Sequence, residues 1–384
     1  MPLNFFYFPN EPILNGSNIM YNPGQLTNNG IRMEYELGKK LALKYNSLVS
    51  TNFTTEENLC AVAGVNKRCV ESLLALMSGM FQPNENELWN ESFNWKPIPL
   101  KTDEIYDQPG TGIWNSCPYF TNKLINTKEY KELEKHFEDE IRLFSNLTSI
   151  NIKNLYDLDK VIDNLETRYY LGGLLQIPLW ADNNEMRSKV NKLHSDIQSS
   201  LSKLFYKDIG GWHHQNIIKA IRNLITNKTV ERINLYGVHD TNILLLSQIY
   251  DIPLLNSTLL SYASYIAFEV HYIDKEYYIK AEYEDGTIPS QNNSLLKFNN
   301  CEEYCLLSKF ISLTPFKSTE EWNIQCKGHN KLTESYIIYG TFSTILNFVL
   351  LLTLLFAILI SFHYKELYKA VIVNETTPLI IKTT

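Results

Sequence analysis

The sequence predicts an α/β domain, an open sheet with helices on both faces, carrying a mostly helical insertion and followed by a transmembrane helix. Three observations lead there. Strand-like runs stand on either side of a long helical middle. That middle, Asn126 to Thr229, is rich in charge at helical spacing. Near the C-terminus, Tyr336 to Phe362 contains no Asp, Glu, Lys or Arg. The division that follows is residues 1–100 and 215–330 for the α/β part, 101–214 for the insertion, 336–362 for the span and 363–384 for a tail.

The elements read in order along the chain. Gly30 to Tyr45 sets Ile31, Tyr35, Leu41 and Leu43 among charges, an amphipathic helix. Cys69 to Phe81, "CVESLLALMSGMF", is a second helix with a nearly continuous apolar face. "LWNESFNWKPIPLKT", Leu88 to Thr102, is too broken for a helix and reads as a strand with loops. "EYKELEKHFEDEIRLF" and "EMRSKVNKLHSDIQSSLSKLF" carry the helical insertion. "RINLYGV" is an apolar strand. "SYIAFEVHYIDKEYYIKAEY" is a hairpin that turns near Ile273, Asp274 and Lys275.

Composition narrows the function. A net charge of -7, with a pI near 5.7 and no basic block, argues against a nucleic-acid partner. The apolar span implies a membrane partner, and three features orient it. N-glycosylation sequons at Asn15, Asn52, Asn90, Asn146, Asn227, Asn256 and Asn292 all precede it. All six cysteines precede it too, which suits an oxidising lumen. Lys365, Lys369 and Lys382 follow it. The expected arrangement is a single-pass type I protein, lysosomal, endosomal or at the cell surface, with its large domain luminal or extracellular.

The chemistry centres on "NLYGVHDTN", Asn234 to Asn242. An apolar strand delivers His239 and Asp240 into a polar turn, and strand ends are where open α/β sheets keep their ligands. A turn histidine beside a helix-capping aspartate is the structural alternative. Taken with "QLTNNGIRMEYELGKKL", "RCVESLLALMSGMFQP", "WNESFNWKPIPLKT", "NSCPYF", "PLWAD", "IGGWHHQNII" and "EVHYIDKEYYIKAEY", in that order, the pair resembles the histidine acid phosphatase family of the phosphoglycerate mutase-like superfamily. The resemblance implies that fold, with a helical cap. It also implies phosphomonoester hydrolysis through a phosphohistidine, with neither cofactor nor metal. His239 would bind phosphate and Asp240 would protonate the leaving alcohol.

Two departures stand out. No RHGxRxP, the motif that holds the family's nucleophilic histidine, occurs in the chain. The register around "FPNEP", Phe8 to Pro12, sets that motif directly before Met1, so the expectation is that Met1 is internal and that the motif, its strand and a signal peptide lie upstream. The transcript's 5′ end tests this. The family's further phosphate-binding arginine also corresponds to Val62, six residues before Arg68. Lys67 is the neighbouring cation that would compensate. The alternative to an enzyme is therefore a pseudophosphatase, a luminal binding module that kept His239 and Asp240.

The resemblance further implies disulfides Cys117–Cys326 and Cys301–Cys305, leaving Cys60 and Cys69 either paired or free. His213 and His214 point apart on a helix and read as surface or pocket-rim residues rather than metal ligands. In the tail, Tyr364 and Tyr368 start YxxΦ patterns, and Glu375, Leu379 and Ile380 fit an acidic dileucine sorting signal. Family members often dimerise through the α/β domain; no residue in the sequence decides that for this chain.

Overall fold

The computed structural model describes residues 8–9, 24–48, 54–107, 125–171, 176–206, 211–226, 228, 230–252, 260–286, 294–313 and 331–375. It divides into two compact units, Met1–Cys326 and Lys327–Thr384.

In the first unit, α1 (Asn28–Lys44) starts where Thr27 Oγ1 accepts from the Gly30 amide at 3.1 Å. One helical turn, Thr55–Asn58, leads into β1 (Leu59–Ala63), and α2 (Lys67–Met80) follows. The two long helices cross with their backbones in close approach. A Cβ on Gly38 would stand 2.0 Å from the Leu76 carbonyl oxygen, and one on Gly79 would stand 2.1 Å from that of Tyr35. Only glycine permits that contact, which holds the carboxyl half of α2 against α1. Beneath them, Leu37, Leu41, Ala61, Leu73 and Met77 form a shared core.

β2 is only Lys101–Thr102. The strand expected from Leu88 is thus mostly loop, because Pro97 and Pro99 withhold the amides a ladder needs. A short 3₁₀ turn, Glu104–Asp107, follows it. The middle segment is helical as the sequence implies: α3 (Lys128–His136), α4 (Glu138–Thr148), α5 (Leu155–Tyr170), α6 (Asn184–Phe205) and α7 (Gly211–Ile225). Thr127, Asn154 and Asn183 cap α3, α5 and α6 through their side-chain oxygens. Phe144, Leu155, Leu158, Ile162, Leu165 and Ile197 fill the core between them.

β3 (Ile233–Gly237) pairs in parallel with β1, and β1 with β2, giving the order β2-β1-β3. α8 (Asp240–Ile249) follows β3. The predicted hairpin is β4 (Tyr265–Ile273) and β5 (Glu276–Glu284). It turns at Asp274 and Lys275, whose φ values of 49° and 69° are the left-handed pair that a two-residue turn requires. β6 (Ser294–Leu296) and β7 (Cys305–Leu306) complete this antiparallel sheet on β5, and α9 (Leu307–Ser312) closes it. Cys301 is disulfide-bonded to Cys305 as expected, whereas Cys60 and Cys69 are free thiols. Cys117 and Cys326 lie outside the described residues.

The second unit is α10 (Lys331–Glu375). Its Ser343–Lys369 stretch, whose most apolar 18 residues have a mean hydropathy of 2.8, is long and apolar enough to cross a membrane. The helix continues past Phe362, so Tyr364 and Tyr368 are helical residues. Glu375 ends it, and Leu379 and Ile380 lie outside the described residues.

Candidate functional site

The carboxyl ends of all three parallel strands meet at one corner. The Gly64 amide donates to the Gly237 carbonyl at 3.0 Å, tying the end of β1 to that of β3, and the Asp103 amide donates to Ala63 at 2.9 Å. α2 therefore opens here with Arg68 and Cys69. The 3₁₀ turn after β2 ends here on Asp107, and α8 opens with His239 and Asp240. This is the corner where open α/β sheets bind ligands.

His239 is 9% exposed and is the N-cap residue of α8, not Asp240 as the structural alternative had it. Its amide donates to Asn242 Oδ1 at 2.9 Å, while the Asn242 amide donates to the His239 carbonyl at 3.0 Å. That reciprocal cap fixes the ring's backbone. The ring then bridges two partners: Nε2 stands 3.0 Å from Asp107 Oδ1, and Nδ1 stands 3.4 Å from Arg68 Nη2. A guanidinium can only donate, so Nδ1 accepts and Nε2 carries the proton toward the carboxylate. Asp240 is exposed, lines the adjoining cavity, and its Oδ1 accepts from the Thr241 amide at 2.7 Å.

Asp107 is the principal residue that the sequence did not announce. Its Oδ2 accepts from the amides of Val65 at 2.7 Å and Asn66 at 3.1 Å. A Cβ at position 64 would lie 2.1 Å from Asp107 Oδ1, so Gly64 is what lets the carboxylate lie on this loop. Burial pushes its pKa up, but the hydrogen bonds from His239 and Asn66 outweigh that and hold it below the ordinary aspartate value. Cys69 Sγ is 3.4 Å from His239 Nε2 and 3.9 Å from Asp107 Oδ1. Burial pushes this thiol up to about 12, so it is no substitute nucleophile. One ligand atom from each of Cys69, Asp107 and His239 lies within 4.8 Å of the others.

Arg68 also falls outside the sequence expectation. Lys67, the candidate replacement for the arginine missing at Val62, is exposed, and its neighbour Arg68 is the residue that reaches His239. Arg68 Nη1 is buried and has no hydrogen-bond partner among the described residues. Val62 sits in β1 in register with Tyr236 and Lys101 and brings no polar atom to the corner.

The corner opens into a cavity of about 1520 Å³. β3 and β4 both line it; among the described residues β3 pairs only with β1 and β4 only with β5. The far wall is polar. There His194 on α6 meets Glu166 on α5, with Asp159 4.0 Å from His194 Nε2 and Asp163 nearby. Burial lowers the His194 pKa, but the charge and hydrogen bond of Glu166, with Asp159 and Asp163, raise it to about 10. Burial raises Asp163 to about 7.

His213 and His214 point apart and both are buried: His213 lines the cavity, within the surface or pocket-rim expectation, whereas His214 is fully buried and corrects it. His213 Nε2 accepts from Asn242 Nδ2 at 2.7 Å and so supports the His239 cap from behind. His214 meets the Tyr250 hydroxyl at 2.7 Å, and burial lowers its pKa to about 4. Of the sequons, Asn90 and Asn146 have exposed asparagines; Asn15, Asn52, Asn227, Asn256 and Asn292 lie outside the described residues.

Comparison with known proteins agrees with this architecture. The family model described as "Histidine phosphatase superfamily (branch 2)" matches residues 5–284. Bovine prostatic acid phosphatase is 26% identical over 351 residues, covering 86% of each chain. Honeybee venom acid phosphatase Acph-1 is 28% identical over 80% of this chain and 79% of its own. Human lysosomal acid phosphatase is 24% identical over 87% of this chain and 80% of its own. The fold is similar to that of a Hafnia alvei phytase solved with tartrate, with a TM-score of 0.54 at 14% identity, covering 81% of this chain and 92% of the phytase.

Proposed function

The chain belongs to branch 2 of the histidine phosphatase superfamily, and from that premise we propose that the β1–β3 corner binds the phosphoryl group of phosphomonoesters. The observation that carries this is Arg68, a permanent cation whose Nη1 has no partner among the described residues, held beside His239 at the mouth of a cavity. Arg68 and His239 would hold phosphate oxygens. Asp240, on the first turn of α8, would give its proton to the departing alkoxide.

Hydrolysis needs one further group. In the reaction the resemblance implies, a histidine nitrogen bonds to phosphorus as the ester oxygen leaves with the proton from Asp240. Water then cleaves the phosphohistidine to inorganic phosphate. The 384 residues hold no RHGxRxP segment. We assign phosphoryl binding alone to these residues, since none of them stands in that motif. A second reading, a binding module without phosphate chemistry, is favoured by Asp107, which already takes the Val65 and Asn66 amides that an oxyanion would use.

Calorimetric titration of the detergent-solubilised chain with inorganic phosphate and tungstate tests the proposal. Saturable binding that weakens about 10- to 100-fold in Arg68→Ala is expected, together with negligible release of phosphate from an aryl phosphate. Absence of oxyanion binding overturns the phosphoryl site; robust turnover overturns the assignment of binding alone to these residues.

We further propose that Ser343–Lys369 anchors the chain with its large unit luminal or extracellular, and that Asn90 and Asn146 carry glycans. A glycosidase-sensitive mass shift, reduced stepwise on replacing each of these two asparagines, is the expected result.

A further inference from the structure

We propose that Cys69, Asp107 and His239 form a binding site for a borderline-soft divalent cation of the Zn²⁺ class, distinct in chemistry from the phosphoryl site although it shares His239. Three independently placed elements supply the donors: α2 the thiol, the turn after β2 the carboxylate, and the start of α8 the imidazole. Their separations are 3.4 Å for S to N, 3.9 Å for S to O and 3.0 Å for N to O. Three ligands about 2.0–2.3 Å from a tetrahedral zinc stand about 3.3–3.5 Å apart. The three atoms thus already outline one face of that tetrahedron, and each needs to move only by tenths of an ångström.

The donor set selects the metal. Thiolate, imidazole and carboxylate together suit Zn²⁺ or Co²⁺, whereas Mg²⁺ and Ca²⁺ call for oxygen alone. Charge balances, since thiolate and carboxylate neutralise a divalent ion, the thiol proton leaving to water as the S–metal bond forms. The surroundings are those of a ligand sphere held in place. Asp107 Oδ2 is fixed by two backbone amides, leaving Oδ1 for the metal, and the His239 backbone is fixed by Asn242. Cys69 and His239 line the cavity, so the fourth position opens into it. One group must yield. With Nε2 on the metal, Nδ1 carries the proton, and Arg68 must swing off it. Nothing else among the described residues pins the Arg68 guanidinium, whose Nη1 has no partner and whose contact with His239 is 3.4 Å long.

Cobalt spectroscopy on the full chain, solubilised and reduced, tests this without any phosphorylated compound. Titration with CoCl₂ should produce a thiolate-to-cobalt charge-transfer band saturating at one equivalent and bleached by ZnCl₂. The band should persist in Cys60→Ser, vanish in Cys69→Ser, and need about tenfold or more cobalt in Asp107→Asn. Zn²⁺ should also slow alkylation of Cys69 in the unaltered chain, mapped by mass spectrometry, while leaving Cys60 reactive, a readout that needs no variant to fold. A chain with no band and no protection of Cys69 overturns the proposal. So does a band that follows Cys60.

Discussion

Two buried histidine–carboxylate pairs share the cavity, and they are built in opposite ways. At the β1–β3 corner, His239 meets one carboxylate, Asp107, whose other oxygen is already served by two backbone amides. On the helical wall, His194 is the cation facing Glu166, Asp159 and Asp163, three carboxylates crowded into buried surroundings, with Gln198 donating to Asp159 at 3.0 Å. In the first, backbone dipoles hold the negative charge and the histidine is left available. In the second, the histidine is what makes the negative charge tolerable. The same pair of residue types can therefore belong to a ligand site or to the scaffold, and the distinction lies in what else satisfies the carboxylate.

The largest expected effect follows from that difference. His194→Ala leaves three buried carboxylates without a counter-charge and should cost about 3–5 kcal/mol at neutral pH, read from urea unfolding of the solubilised chain. His239→Ala leaves Asp107 its two amide donors and should cost about 1–2 kcal/mol. Equal costs would erase the contrast.

The pH profile of stability should separate the pairs next. The folded pKa of His194, about 10, lies above its ordinary 6.5, so its contribution is full below 6.5 and is lost as pH rises toward 10. Asp163, raised from 3.8 to about 7, acts in the same direction and loses stability as pH rises from 3.8 through 7. Asp107 is lowered below 3.8, so its contribution is present above that value and is lost as pH falls through its folded pKa. The helical wall thus favours acid and the corner resists it. Urea midpoints across pH should show an alkaline loss removed by His194→Gln and an acid loss removed by Asp107→Asn.

Much of the fold could be read from local pattern, and less of the site. The hairpin was legible because Asp274 and Lys275 sit between alternating β-formers, and His239 and Asp240 because an apolar strand run ends on them. The short β2 is legible only in part: Pro97 and Pro99 are visible in the sequence, but that only Lys101–Thr102 pairs depends on the distant β1. Asp107 gave no signal: it reaches His239 across 132 residues of chain, through a loop contact that Gly64 permits. The carboxylates of α5 look like a solvated helix face until α6 covers them. Burial of His213 and His214 is likewise a property of what packs around α7, not of α7 itself.

A smaller effect tests how Asp107 is held. Gly64→Ala places a methyl group where Oδ1 now lies and should cost about 1–3 kcal/mol, read from the urea midpoint. If the methyl were accommodated without cost, the loop and the carboxylate would not be in the close contact seen here, and Asp107 would be a looser neighbour of His239 than its partner.

Asp107→Asn should change stability least, by about 1 kcal/mol or less at neutral pH, since an amide oxygen can still accept from Val65 and Asn66. Its value lies in the sign of a second measurement. If the carboxylate occupies the amides of an oxyanion cradle, removing its charge a few ångströms from a bound phosphate lowers repulsion and should tighten phosphate about tenfold. If Asp107 instead serves to orient His239, the ring loses its anionic partner and phosphate binds more weakly. Titration of the two proteins with inorganic phosphate decides between these signs. A tighter complex would mean that Asp107 competes with phosphate for the corner, whereas a weaker one would make Asp107 a positioning residue for His239.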